Sequence, residues 1–157
     1  MNAGRQAIPL ALLALFFMVL PAHGGEMASV ARDGVILRQA PDGESKILCQ
    51  YDKGLPLKVL EAKGDWRRVS DFEKDGGWLP VADLNKEPHM VVCADKNTGV
   101  KANARIRQGP GEEYPVIGEA VYGAVFATLG HQADWVKVRH DSGLEGWVKR
   151  SQVWGFW

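Results

Sequence analysis

Asp134-Trp135-Val136-Lys137-Val138, followed by Gly146-Trp147-Val148, repeats Asp65-Trp66-Arg67-Arg68-Val69 and Gly77-Trp78-Leu79 at a distance of 69 positions in a chain of 157 residues. Sliding the chain by that distance lays 35–84 on 104–153 without a gap. Arg38-Gln39 falls on Arg107-Gln108, Pro41 on Pro110, Gly54 on Gly123 and Leu60 on Leu129. Between these anchors apolar character carries over, as at Leu37 and Ile106 or Leu57 and Phe126. A match of this length is a duplication, and the repeated unit must be read before any fold is assigned.

The unit reads as all-β. Val100, Ala102, Ala104 and Ile106 alternate with Lys101, Asn103, Arg105 and Arg107, the period of two expected of a half-buried strand. Gln108-Gly109-Pro110-Gly111 then breaks the strand. Short β-type runs follow near 116–121, 124–129, 135–139 and 146–148, separated by turn residues. Strands at this spacing suggest a small barrel or sandwich, and the pattern supports no long helix after the first stretch.

That first stretch, 1–24, has the parts of a cleaved export signal: Arg5, an apolar run from Ile8 to Leu20, and small residues at Ala22 and Gly24. The run is shorter than the ~20 residues of a spanning helix, although an uncleaved anchor is the alternative. Its removal leaves about 133 residues with 18 Lys and Arg against 19 Asp and Glu. Basic residues are scattered among acidic ones, so the chain carries no nucleic-acid footprint. The expected location is periplasmic or secreted, with no membrane span in the mature chain. There, Cys49 and Cys93, the only two cysteines, would form an intramolecular disulfide, with two buried free thiols as the alternative.

With these anchors in order, both copies resemble the bacterial SH3-like (SH3b) domain. The second copy carries Arg107, Gln108-Gly109-Pro110-Gly111, Tyr114, Gly123, Asp134-Trp135 and Gly146-Trp147 in the family's sequence. The first departs at Ala40 for Gly109, Asp42 for Gly111 and Ser45 for Tyr114. The resemblance implies two tandem small SH3-like β-barrels after the signal peptide: 27–86 and 99–157, joined by a linker over 87–98. It also implies a groove lined by loop and tryptophan residues. The candidate contacts are Arg107, Tyr114, Trp135 and Trp147 in the second copy, with Trp66 and Arg38 in the first. Each has a plainer alternative: the Gly-Trp tryptophans as packing, the arginines as partners of loop carbonyls.

Chemistry finds less support in the residues. A thiol hydrolase needs a thiolate beside a histidine, and neither Cys49 on a strand nor Cys93 in the linker has the setting that lowers a thiol pKa. His131 and His140-Asp141 read as loop decoration rather than metal ligands, and Glu112-Glu113 and Asp71, Glu73 and Asp75 as solubilising surface. The expectation is therefore a non-catalytic exported binding protein without cofactor, recognising cell-wall (peptidoglycan) peptide or another extended peptide in the envelope. The alternative is a structural protein whose barrels dock an envelope protein.

Overall fold

The computed structural model describes residues 25–156, so the stretch read as an export signal lies outside the described residues. The described chain is all-β, with two seven-stranded antiparallel sheets and two single 3-10 turns. The first unit comprises β1 (Glu26–Val30), β2 (Val35–Arg38), β3 (Ile47–Tyr51), β4 (Pro56–Lys63), β5 (Trp66–Ser70), β6 (Gly76–Pro80) and β7 (Leu84–Asn85). The second comprises β8 (His89–Val92), β9 (Ala104–Arg107), β10 (Val116–Ala120), β11 (Val125–Gln132), β12 (Trp135–Arg139), β13 (Glu145–Lys149) and β14 (Val153–Gly155). Their orders, β3-β2-β6-β5-β4-β1-β7 and β10-β9-β13-β12-β11-β8-β14, are the same strand for strand.

Neither sheet closes into the expected barrel. In the first unit β3 and β7 remain as edges, and β10 and β14 do so in the second. Each sheet instead curls through its longest strand. β4 pairs with β1 through Pro56–Val59 and with β5 through Lys58–Lys63, and its register shifts between Val59 and Glu61. The same shift recurs in β11 between Thr128 and Gly130. An extra residue of this kind bends a strand, which lets one strand serve two neighbours at an angle.

The glycine anchors have two different causes. Gly54 and Gly123 take φ of 83° and 84°, a left-handed conformation that favours glycine. Gly77 and Gly146 are needed for space: a Cβ at Gly77 would lie 2.6 Å from the Arg38 carbonyl oxygen, and one at Gly146 would lie 2.8 Å from that of Arg107.

The expected linker is the largest departure. Within 87–98 lies β8, which pairs with β11 and β14 as a full member of the second sheet, and Met90 and Val92 are buried in its core. The Val91-Val92 run is apolar because it is a strand. Its counterpart is β1. The Val30 N–H donates to the Leu55 carbonyl at 3.0 Å and its own carbonyl accepts from Gly54, while Val92 makes the same pair of bonds with Ala124 and Gly123. Four residues, 31–34, then lead into β2, whereas eleven, 93–103, lead into β9. The second copy thus carries seven extra residues, which breaks the fixed spacing there. The alternation at Val100 and Ala102 belongs to this loop and not to a strand; Val100 is 55% exposed.

The two cores are filled differently. The first packs Leu57 with Tyr51, whose hydroxyl donates to the buried Asp71 carboxylate at 2.9 Å. The second packs Phe126 with Ala120, and the His140 ring lies 5.3 Å from that of Phe126.

The units also touch. The Glu73 carboxylate of the first accepts from Lys101 Nζ at 2.7 Å and Tyr122 Oη at 2.8 Å, and the Phe72 ring packs 5.5 Å from that of Tyr122. At the other contact, His89 Nδ1 lies 3.2 Å from Ser29 Oγ. The chain end folds back beside it, the Phe156 N–H donating to the His89 carbonyl at 3.0 Å. Among the described residues no helix is long and apolar enough to cross a membrane.

Candidate ligand groove of the second unit

The candidate arginines hold their own loops. Arg107 Nη1 donates to the carbonyls of Glu112 at 3.0 Å and Tyr114 at 2.8 Å, and Arg38 Nη1 donates to that of Ser45 at 2.8 Å. The loop between the first two strands of the repeat is thereby fixed in both units, but with different closures. In the second, the Tyr114 ring lies against Gly109, where a Cβ would come within 2.4 Å of it. In the first, Ser45 Oγ accepts from the Ala40 N–H and donates to its carbonyl.

The Gly-Trp tryptophans belong to the sheet. Trp147 lies opposite Arg107 on one side and Lys137 on the other, and Trp78 lies between Arg38 and Arg68. Directly paired residues share a face, so each half-buried indole is flanked by two basic side chains. Trp66 is half-buried at the start of β5.

Trp135 is placed differently. It is 8% exposed and forms the wall of a groove of about 660 Å³ with Lys96, Asn97, Asp134, Lys149 and Ser151. Through Trp135, Glu112 and Lys149 this groove continues into a second hollow of about 310 Å³, where Asn103, Arg105 and Arg107 face it. Of the six expected contacts, the groove brings together Arg107 and Trp135. Tyr114, 40% exposed, and Trp147 do not line it, and Trp66 and Arg38 belong to the other unit.

One wall is made by the extra residues. Asp95 accepts from the N–H groups of Asn97 at 2.8 Å and Thr98 at 3.3 Å, and from Ser151 Oγ at 3.0 Å. Backbone bonds from Cys93 to Gln152 and from Lys96 to Ser151 tie the same loop to the 3-10 turn Arg150–Gln152. The Asn97 amide, then the Ser151 hydroxyl and the Thr98 amide, hold the Asp95 carboxyl below its ordinary range. Across the groove the Lys149 ammonium pairs with Glu112 and lowers that carboxyl too.

Sequence reasoning missed Lys96, Asn97, Arg105 and Lys149. The signal was in the repeat itself, where Arg105, Lys149, Arg150 and Ser151 stand against Ile36, Pro80, Val81 and Ala82. Polar residues replace apolar ones at four positions that the fold brings to one surface.

The expected disulfide is not formed. Cys49 is exposed on the edge strand β3 of the first unit, and Cys93 is buried just after β8 in the second. Burial, first of all, pushes both thiols up, with the Asp71 and Asp75 charges adding to it at Cys49. His89 Nδ1 faces Ser29 and the Glu87 carbonyl, and His140 Nδ1 faces Ser142. Among the described residues no group of three or more His, Cys, Asp or Glu is placed to hold a metal ion.

A strand order shared by two small curled sheets, each opened by an arginine-pinned loop, defines the class of protein. Residues 31–86 and 102–153 each match a family described as the bacterial SH3 domain, and the chain belongs to that family as a tandem pair. It is 28% identical over 147 residues to the putative N-acetylmuramoyl-L-alanine amidase YrvJ of Bacillus subtilis, covering 91% of this chain and 28% of that protein. It is also 36% identical over 63 residues to the probable cell wall amidase LytH of Staphylococcus epidermidis, covering 38% of this chain and 22% of that protein. Among solved structures it resembles an NlpC/P60 family protein from Bacillus cereus, with a TM-score of 0.38 and 17% identity over 82% of this chain and 56% of that one. NlpC2 from Trichomonas vaginalis gives 0.36 and 12% over 86% and 49%.

The chain thus spans 28% and 22% of the curated relatives' lengths. Their names overturn the expectation of a non-catalytic binding protein with no enzymatic role, because they are named as amidases, one of them of the cell wall. That expectation rested on the thiols, histidines and carboxylates of a chain that matches only a minor part of those enzymes.

Proposed function

We propose that this chain works in cell-wall hydrolysis, as the tandem bacterial SH3 part of an amidase that cleaves the bond between N-acetylmuramoyl groups and L-alanine. The observation that carries this reading is the alignment of 91% of the chain with the putative amidase of Bacillus subtilis. In this role the second unit holds the enzyme on peptidoglycan, its groove beside Trp135 taking an extended wall peptide, and the first unit supports it. Export through residues 1–24 would deliver it to that substrate, in keeping with Arg5 and the apolar run behind it.

Holding an enzyme on a polymer raises the local concentration of scissile bonds, an effective-concentration gain that needs no new catalytic contact. The full-length protein incubated with purified cell walls is expected to sediment with them and to expose new N-terminal alanine. A protein that stays in the supernatant at low salt and releases no N-terminal alanine would refute the proposal.

A further inference from the structure

Five cationic side chains line the two hollows: Lys96, Arg105, Arg107, Lys149 and Arg150. Against them stand two carboxylates, Glu112 and Asp134. This excess is local, since the whole chain carries 19 basic and 19 acidic residues. It is also particular to one unit: Arg105, Lys149 and Arg150 stand where the first has Ile36, Pro80 and Val81, and Lys96 lies in a loop that is seven residues longer than its counterpart there.

From this charge, and resting on the wall-peptide reading above, we infer that the groove selects an extended peptide bearing carboxylates and that Lys96 of the 93–103 loop, together with the cations of β9 and of the β13 end, confers this selectivity on the second unit alone. The Trp135 wall excludes water from one side, which strengthens charge interactions in the groove relative to open solvent. Asn97, Asn103 and Gln152 add amide donors and acceptors suited to a peptide main chain. Glu112 and Asp134 argue against a uniform polyanion, whose every repeat would be drawn past fixed negative charge. A peptide carrying both carboxylates and an ammonium group can meet both signs. Arg107 is anchored to its loop through Nη1, Lys149 is shared with Glu112, and Lys96 Nζ donates to the Arg150 carbonyl at 3.5 Å; Lys96 and Arg105, both exposed, are the cations to remove.

The test is an amide chemical-shift titration of the whole chain with the synthetic peptide Ala-Glu-Lys-Ala, its C-terminus free, and with Ala-Gln-Lys-Ala amide. The carboxylate peptide is expected to move the Asn97, Lys149 and Trp135 indole signals and to bind about tenfold tighter than the neutralised one, a difference near 1.4 kcal/mol. The double variant K96Q/R105Q, at two exposed positions, should erase that difference while leaving the rest of the spectrum in place. Equal affinity for the two peptides, shifts confined to the first unit, or tighter binding of poly(glycerol phosphate) would each overturn the inference. So would silence at about 10 mM, where even a millimolar Kd saturates a site. Wall co-sedimentation run in parallel separates the two claims: walls bound without peptide discrimination sink the groove inference alone, whereas walls not bound sink the wall reading.

Discussion

The first unit and the second share a strand order, a pinned loop, a bent long strand and a glycine beneath an arginine carbonyl, yet among the described residues the second alone has the cationic groove. What they share is what the backbone needs to curl. What they do not share lies on one face and in one loop, where seven extra residues and a handful of charged substitutions cost the scaffold little. Surface loops tolerate insertion because loop-closure entropy grows slowly with length. Duplication here gives two scaffolds of one design, one of them carrying a cationic groove.

The widest gap between the units should come from their cores. Phe126→Ala is expected to cost about 3–5 kcal/mol and Leu57→Ala about 2–5 kcal/mol. Urea unfolding read by amide exchange at Val138 and at Val69 would show each loss chiefly in its own unit. Equal loss of protection at both sites would instead make the pair one cooperative body and break the two-core comparison.

The glycine substitutions come next and should erase the difference. Gly77→Ala and Gly146→Ala each drive a Cβ against a backbone carbonyl that cannot move far. Overpacking of this kind costs about 1–3 kcal/mol, and similar losses are expected in both units.

Tyr51 sharpens the contrast, since the corresponding residue is Ala120. Tyr51→Phe leaves the buried Asp71 carboxylate without its phenol donor and should cost the first unit about 1–3 kcal/mol. Burial, then the Asp71 charge, raises the Tyr51 pKa strongly. Its contribution is therefore complete below the unfolded value of about 10 and is lost as pH rises through the folded one. In wild type the first unit should lose amide protection before the second on alkaline titration, and in Tyr51→Phe that order should weaken.

The smallest effect belongs to the contact between units. Hydrogen bonds from Lys101, then from Tyr122, hold the exposed Glu73 carboxyl below its ordinary range. Its stabilisation is present above the unfolded value near 4.3 and disappears as pH falls through the lower folded one. Glu73→Gln should weaken the Phe72–Tyr122 contact seen by ring-to-ring NOE, modestly and with little salt dependence remaining, as expected for an exposed ion pair.

Much of this architecture was legible from Trp66 and Trp135 outward, because every strand from β2 to β7 recurs 69 positions later. β8 was hidden for a physical reason. Its counterpart β1 precedes the four-residue loop, so the insertion displaced β8 from the repeat and left Met90-Val91-Val92 looking like an apolar linker. The groove was legible only in part. Trp135 follows a turn and was visible, whereas Lys149 and Arg150 lie on a strand end and a 3-10 turn whose meeting with the 93–103 loop no spacing encodes. Arg38 and Arg107 were named as contacts, but their first duty is to loop carbonyls. The disulfide was expected between thiols that the fold places in different units, where both are free.

The contrast between the units is tested most directly by co-sedimentation of the full chain with purified cell walls. K96Q/R105Q and K46Q/K63Q remove the same two charges, the first from the groove and the second from exposed positions on the first unit. The groove variant is expected to lose about tenfold in apparent affinity, roughly 1.4 kcal/mol, and the first-unit variant less than about twofold. Equal losses in the two variants would contradict a binding site confined to the second unit.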